Sequence, residues 1–465
     1  MGKLRQIAET FDDRTGISKL VGPALTHPVP RTKGWISWAY VFGSATLFAF
    51  IVQVVTGIAL ATAYIPATGE AYQSIQFITN DAALGHWLRG IHNFGASAMI
   101  VLIGIHALRV FLMGAYKFPR EVSWLSGSVL LLLTVAMAFT GQLLRWDQTA
   151  FWSVIVAAEQ VGRAPFVGTP LAQFVLGGDT VGGATLSRFY AFHVFFIPAI
   201  IFAFLGFHLY LVLHTGISEP PQAGRPVDPK TYRKWYNELL KRDGVPFWPD
   251  AAWRDALFGV AVIVTIAALA WFLGPPALDK PPDPTLLQAY PRPDWYLLWY
   301  FAALALLPPG VEDYVIIGGP VLLGVVLLLL PLANRGERSP KRRPWAVGVT
   351  IMIVLMIVTL SLAGQESRWS PNFHAQAMSP TQVNSTDPSI VRGAALFNAK
   401  SCQACHSIDG QGGLRGPDLT SVGNRLSAEQ MTTRILGGGT NMPAFSNNVT
   451  PAELNDLINF LKSRK

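Results

Sequence analysis

Four histidines fall on two long apolar stretches, His92 and His106 on one and His193 and His208 on the other, separated by 14 and 15 residues. On an α-helix, fourteen residues return to within about 40° of the starting direction and fifteen overshoot by about 60°. Each stretch therefore shows both histidines on one broad face, about 21 to 22 Å apart along the axis. Two such helices running parallel offer two His–His pairs stacked across the membrane. Neutral imidazole suits haem iron, and two imidazoles on one iron make a six-coordinate site for electron transfer.

Glycines repeat the interval. Gly43 and Gly57 lie 14 apart on one apolar stretch, Gly127 and Gly141 on another. Glycine also serves plain close packing of membrane helices, but an interval matching the histidines is what a porphyrin face approaching the backbone requires. The chain has two cysteines, Cys402 and Cys405, in the run Cys402-Gln403-Ala404-Cys405-His406. A CxxCH run reads as covalent c-type haem attachment, with thioethers to both cysteines and iron on His406. A thioredoxin-like dithiol or half of a zinc site fits less well, because neither a βαβ pattern nor a second CxxC accompanies it. Met442, 36 residues after His406 in a Gly- then Pro-bearing loop, is the expected second iron ligand. His/Met ligation raises the potential and suits an electron acceptor.

These residues need a membrane. Of the 465 residues 51% are hydrophobic and 14% charged, against about 25% charged in an average soluble domain. Seven apolar stretches, near 37–62, 88–113, 125–145, 188–213, 256–274, 316–333 and 345–363, are long enough to span a bilayer. Tyr296–Leu307, ending in Pro308-Pro309-Gly310, reads as a surface or re-entrant helix. Basic residues concentrate in Arg225–Arg242 and in Arg335, Arg338, Lys341, Arg342 and Arg343. Both clusters lie between apolar runs, so the positive-inside rule explains them better than nucleic-acid binding does. Cytoplasmic placement of both puts the N-terminus inside, and the 146–187 and 275–315 loops and the C-terminus outside. Residues 1–22 read as an interfacial amphipathic segment rather than a secretory signal.

The expected fold is all-α: a four-helix di-haem bundle plus three further membrane helices, followed by a small helical cytochrome c domain. The expected divisions are 1–34 as an N-terminal cytoplasmic segment, 35–220 for the di-haem part and 221–250 as a cytoplasmic linker. Residues 251–364 follow as a three-helix region, 365–388 as a polar linker and 389–465 as the extracytoplasmic cytochrome.

Residues 20–220 resemble cytochrome b of the cytochrome bc family, in particular its plastid-type branch, where the fourth-helix spacing is also 15. The words that carry the likeness include Gln53–Gly57, Arg89-Gly90-Ile91-His92, His106–Val110, Pro119-Arg120-Glu121, Trp146-Asp147-Gln148 and Arg188-Phe189-Tyr190. The resemblance implies an outer His92–His193 haem and an inner His106–His208 haem, both noncovalent, with Arg89, Arg109 and Arg188 near their propionates. Val41 stands where the plastid branch carries a cysteine for an extra covalent haem, so that attachment is expected to be missing. Residues 245–365 resemble the three-helix second half of the same family. There Pro293-Asp294-Trp295-Tyr296 falls where the outer quinol-oxidation pocket is lined, with Asp294 in place of the usual Glu. Phe151 stands where a pocket Tyr often follows the WDQ word.

A carboxylate beside a quinol hydroxyl is a sensible proton acceptor, and the Asp form points by resemblance to menaquinol. His214 is a candidate ligand for the inner quinone. Residues 389–465 resemble class I cytochrome c, which implies that the Pro417 carbonyl orients His406. The implied partners are a separate Rieske iron–sulfur protein, membrane lipid, quinone, a downstream soluble or membrane acceptor and a second copy in a homodimeric complex. The implied place is the bacterial cytoplasmic membrane, and the implied activity quinol:cytochrome c reduction coupled to proton translocation. Two rivals remain at this point: the di-haem membrane anchor of another quinone-linked oxidoreductase, and a non-catalytic membrane protein with a cytochrome tail.

Overall fold

The computed structural model describes residues 2–283, 293–308, 311–333, 336–365, 372, 375–438, 442, 444–446 and 448–465. Pro309, Gly310, Arg335, Pro371, Asn441 and Pro443 lie outside the described residues. Seven helices among them are long and apolar enough to cross a membrane. They are α1 (Gly34–Ala61), α2 (Gly85–Leu112), α3 (Glu121–Leu143), α4 (Gly183–Thr215), α5 (Phe247–Leu273), α6 (Val311–Leu332) and α7 (Pro344–Gln365). Their apolar side chains do not withdraw inward as in a soluble protein. Leu322 and Leu329 of α6 and Leu355 of α7 are 63%, 52% and 59% exposed, which lipid tolerates and water does not.

The chain gathers into two compact units, Met1–Pro282 with Pro308–Ile357, and Asp283–Leu307 with Val358–Lys465. In the first unit α1 packs on α2, α2 on α3 and α3 on α4. Phe50 of α1 meets Phe202 of α4 edge to face at 5.1 Å and closes the ring. Ala45, Ala49 and Phe50 of α1, Ile91, Met99 and Leu102 of α2 and Ile201 of α4 form its core, with Ile266 and Ala270 of α5 against it. Helix α6 lies on α3, where the Trp124 indole donates to the Leu327 carbonyl at 2.7 Å.

Helix α4 is not uniform. Residues Phe192–Phe196 form a π turn, in which the Ile197 amide bonds Phe192 O. Pro198 explains it: with no N–H it cannot donate to Val194, and the ladder shifts by one residue around it. That extra residue falls between His193 and His208, so their 15-residue interval behaves as 14 does on α2.

In the second unit a short apolar helix covers Trp295–Ala305. The C-terminal domain holds α8 (Pro388–Ala399), α9 (Ala428–Gly437) and α10 (Pro451–Ser463). Each starts on a side-chain cap: Asp387 for α8, Ser427 with Gln430 for α9 and Thr450 with Glu453 for α10. Helix α8 crosses α10, with Phe397 against Phe460 at 5.7 Å and Arg392 paired to Asp456 at 2.8 Å. Part of the stretch expected as linker is packed onto this domain. Val383 enters its core, Gln403 donates to Gln376 O at 3.0 Å, and Arg464 donates to Gln382 O at 3.1 Å.

Candidate functional site

The four spaced glycines meet the four histidines one to one. A Cβ on Gly57 would lie 3.2 Å from His92 Cε1, and one on Gly43 would lie 3.0 Å from His106 Cε1. Across the bundle, Gly141 would bring a Cβ to 2.5 Å from His193 Cε1, and Gly127 to 3.2 Å from His208 Cε1. Each imidazole edge thus lies against the bare backbone of the neighbouring helix, α2 on α1 and α4 on α3.

Three of those glycines follow a hydroxyl residue, and the hydroxyl sets the ring. Thr56 Oγ1 donates to Val52 O at 2.7 Å, so toward His92 Nδ1, 2.9 Å away, it accepts. Ser126 Oγ donates to Ser123 O at 3.0 Å and faces His208 Nδ1 at 2.9 Å. Thr140 Oγ1 donates to Ala136 O at 2.9 Å and faces His193 Nδ1 at 3.2 Å, while the Met137 carbonyl accepts from the same nitrogen at 3.0 Å. With Nδ1 carrying the proton, Nε2 keeps its lone pair for iron, the arrangement that orients a ligating histidine. Sequence reading missed Thr56, Ser126 and Thr140, although a hydroxyl just before each of three spaced glycines was the available signal. The fourth pair departs: Phe42 precedes Gly43, and Ser44 donates instead to Asp255 of α5 at 2.7 Å.

His92 and His193 face each other with ring centres 6.2 Å apart and planes at 79°. Two metal–imidazole bonds of about 2.0 Å, each extended from nitrogen to ring centre, span roughly that separation. The residues therefore fit a bis-imidazole haem. Arg109 fits a propionate at the inner end: it lies 3.7 Å from the Tyr40 ring centre, and its Nε and Nη2 are buried with no partner among the described residues. Arg89 is otherwise engaged, donating to Thr79 Oγ1 at 3.1 Å and Pro276 O at 2.8 Å. Arg188 donates to Phe174 O at 2.6 Å, and His214 stacks on Tyr210 at 5.7 Å. Arg145 is a candidate that the sequence did not single out, with one guanidinium nitrogen on Asp147 at 2.9 Å and a buried Nε that has no partner among the described residues.

In the C-terminal domain Cys402–Cys405 form one helical turn. His406 Nδ1 lies 2.8 Å from Pro417 O, which again leaves Nε2 for iron. Gly416 packs against the same ring, where a Cβ would come within 2.5 Å of Cε1. Burial pushes the Cys402 thiol up to about 12 and the Cys405 thiol up as well. A redox dithiol needs the opposite, a lowered pKa in a partly exposed and electropositive setting. Met442 is half-buried and packs against the core formed by Phe397, Ile408 and Phe460.

In the Pro293-Asp294-Trp295-Tyr296 run, Asp294 precedes the short helix and its carbonyl accepts from Leu297 N at 2.9 Å. The Tyr296 hydroxyl is buried without a partner among the described residues, and burial and the Asp294 carboxylate push its pKa up.

Comparison with known proteins places the chain in a family. The family model described as cytochrome b/b6/petB matches residues 29–216, and that described as cytochrome b(C-terminal)/b6/petD matches residues 281–381. The cytochrome bc complex cytochrome b subunit of Chlorobaculum thiosulfatiphilum is 33% identical over 372 residues, 78% of this chain and 82% of that one. This chain is a bc-type cytochrome b. Residues 388–461 match a third model, cytochrome C oxidase, cbb3-type, subunit III, so the cytochrome b carries a c-type cytochrome domain. The menaquinol:cytochrome c reductase cytochrome b subunit of Bacillus subtilis (strain 168) is 36% identical over 222 residues, 47% of this chain and 99% of that one. A solved structure titled hyperthermophilic respiratory Complex III shares the fold, with a TM-score of 0.64 at 24% identity over 85% of this chain and 96% of that one. A multi-pass, haem-binding cytochrome b fused to a cytochrome c domain is thus the identity of the chain.

Proposed function

We propose that this cytochrome b is the membrane core of a Rieske-type quinol:cytochrome c oxidoreductase in which the attached domain serves as the cytochrome c subunit. When bound, two b haems supply one-electron carriers stacked across the membrane, and the c haem supplies an acceptor on the outer side. His92 with His193 and His106 with His208 hold the b pair, while Cys402, Cys405, His406 and Met442 hold the third.

Quinol oxidation to quinone releases two protons and two electrons. Asp294 takes a proton from a quinol hydroxyl, and the buried Tyr296 hydroxyl bonds the head group within the same pocket, with Pro293 and Trp295 shaping its wall. One electron leaves through a Rieske protein on a separate chain, since the only two cysteines here sit in the CxxCH run. The other enters at the His92–His193 end and reaches a quinone near His214 on the inner side. Protons are released outside and taken up inside, and menaquinol is the expected donor.

The observation that carries this reading is the tiered register of four glycines against four histidines, with Nδ1 of three rings held by hydroxyls. Pyridine haemochrome analysis of the purified chain tests it and should give two b haems per c haem. One b haem, or none, removes the reading. Reduction of cytochrome c by the complex with menaquinol and with ubiquinol then decides the donor.

A further inference from the structure

At the end of α2 and at the end of α4, a buried guanidinium from another segment takes the last helical carbonyls. Arg343, between α6 and α7, donates through Nη1 to Phe111 O at 3.1 Å and Leu112 O at 3.3 Å. Arg120, just before α3, donates through Nε to Gly216 O at 2.8 Å and through Nη2 to Thr215 O at 3.4 Å. Each guanidinium also donates to a tyrosine, Arg343 Nη2 to Tyr116 OH at 2.9 Å and Arg120 Nη1 to Tyr232 OH at 2.8 Å, while Arg343 Nε has no partner among the described residues. Both arginines are almost fully buried, 2% and 6% exposed. Among the described residues neither forms an ion pair. The nearby Glu219 carboxylate is taken by Arg338 and by the Tyr232 hydroxyl.

The two helices capped in this way are the two that carry the histidines. His106 lies six residues before Leu112, and His208 lies seven before Thr215, about 9 and 10 Å along the axis. An α-helix concentrates about half a negative charge at its C-terminus and half a positive charge at its N-terminus. In the orientation read from the basic loops, α2 and α4 both run inward, so their dipoles favour an electron at the outer His92–His193 pair. That opposes inward transfer. A whole guanidinium charge at each C-terminus outweighs the half charge it meets, and burial leaves the field poorly screened.

We propose that Arg120 and Arg343 are positioning residues for the inner haem: they reverse the helix-dipole field at the His106–His208 pair and raise its reduction potential. This rests on the two-haem reading above. The test is a spectroelectrochemical titration of the full chain in its complex, with the inner b wave assigned as the one lost in His106→Ala. Arg343→Gln and Arg120→Gln should each move the inner wave to lower potential, and the double variant further, while the outer b wave and the c wave stay in place. Arg343→Lys and Arg120→Lys keep the charge and should leave the inner wave near its wild-type position.

An unmoved inner wave in glutamine variants that retain both b haems overturns the proposal. So does an inner wave lowered as far by lysine as by glutamine, because cap geometry would then decide rather than charge. Where a glutamine variant does not assemble, the lysine variant at that position decides alone: an inner wave at its wild-type position supports the proposal, and an inner wave moved to lower potential with the charge retained overturns it. A wild-type chain lacking two b waves refutes the functional reading instead, and is recognised before any variant is compared.

Discussion

Replacing Gly141 with alanine is the sharpest perturbation of the b-haem site. The added Cβ would lie 2.5 Å from His193 Cε1 and 3.1 Å from both ring nitrogens. Ordinary van der Waals contact between carbons begins near about 3.5 Å, so the ring must retreat by roughly 1 Å or turn off its rotamer. A turn of about 30° costs on the order of 0.5–1.5 kcal/mol, and overpacking of this kind commonly costs about 1–3 kcal/mol. Metal ligation is less forgiving, because distances beyond about 0.2 Å of the preferred value no longer make a proper site. Gly141→Ala should therefore lose the outer b haem, and the pyridine haemochrome ratio of b to c should fall from two toward one. Gly43, at 3.0 Å, should respond less, and Gly57 and Gly127, at 3.2 Å, least. Gly104 on α2 and Gly206 on α4 have no atom of the described residues within 4 Å of where an alanine methyl would stand, and serve as controls that should keep both haems. Two b haems with unaltered spectra in Gly141→Ala would refute the reasoning.

The hydroxyls offer a gentler test: Thr56→Val and Ser126→Ala each remove the group that orients a ligating ring and should weaken haem retention about 10- to 100-fold, measured by haem loss to apomyoglobin. Asp294→Asn should lower quinol:cytochrome c reductase turnover by about 100-fold or more, with haem content unchanged; undiminished turnover removes Asp294 from the proton path. In Cys402→Ser combined with Cys405→Ser the third haem should become extractable by acidified acetone, whereas in the native chain it stays with the protein. The Arg392 guanidinium, and after it the Ser389 hydroxyl, hold the Asp456 carboxyl below its ordinary 3.8. Its contribution to the terminal domain is therefore present above that value and lost as the pH falls through the lower folded one. Acid titration of the c-haem Soret dichroism should show that loss, and Asp456→Asn should flatten it.

The sequence alone determined the spans, the histidine and glycine intervals and the CxxCH run, because each is a local pattern that helical geometry or covalent chemistry translates directly. The short helix at Trp295–Ala305 was legible for the same reason, as an apolar run bounded by Pro and Gly. The stretch 375–383 was not, because its polar composition hides that Val383 and the main-chain carbonyls of Gln376 and Gln382 serve the terminal domain.

Partners distant in sequence were hidden too. That Thr56, Ser126 and Thr140 accept from histidines on the next helix follows only from which faces meet. Arg89, which the family resemblance set near a propionate, bonds Thr79 and the Pro276 carbonyl, 187 residues away along the chain. Tertiary structure also decided the meaning of the 15-residue interval. Read as a regular helix it leaves His208 about 60° out of line, but a π turn beside Pro198 absorbs the extra residue, so that both histidines of α4 reach their glycines on α3.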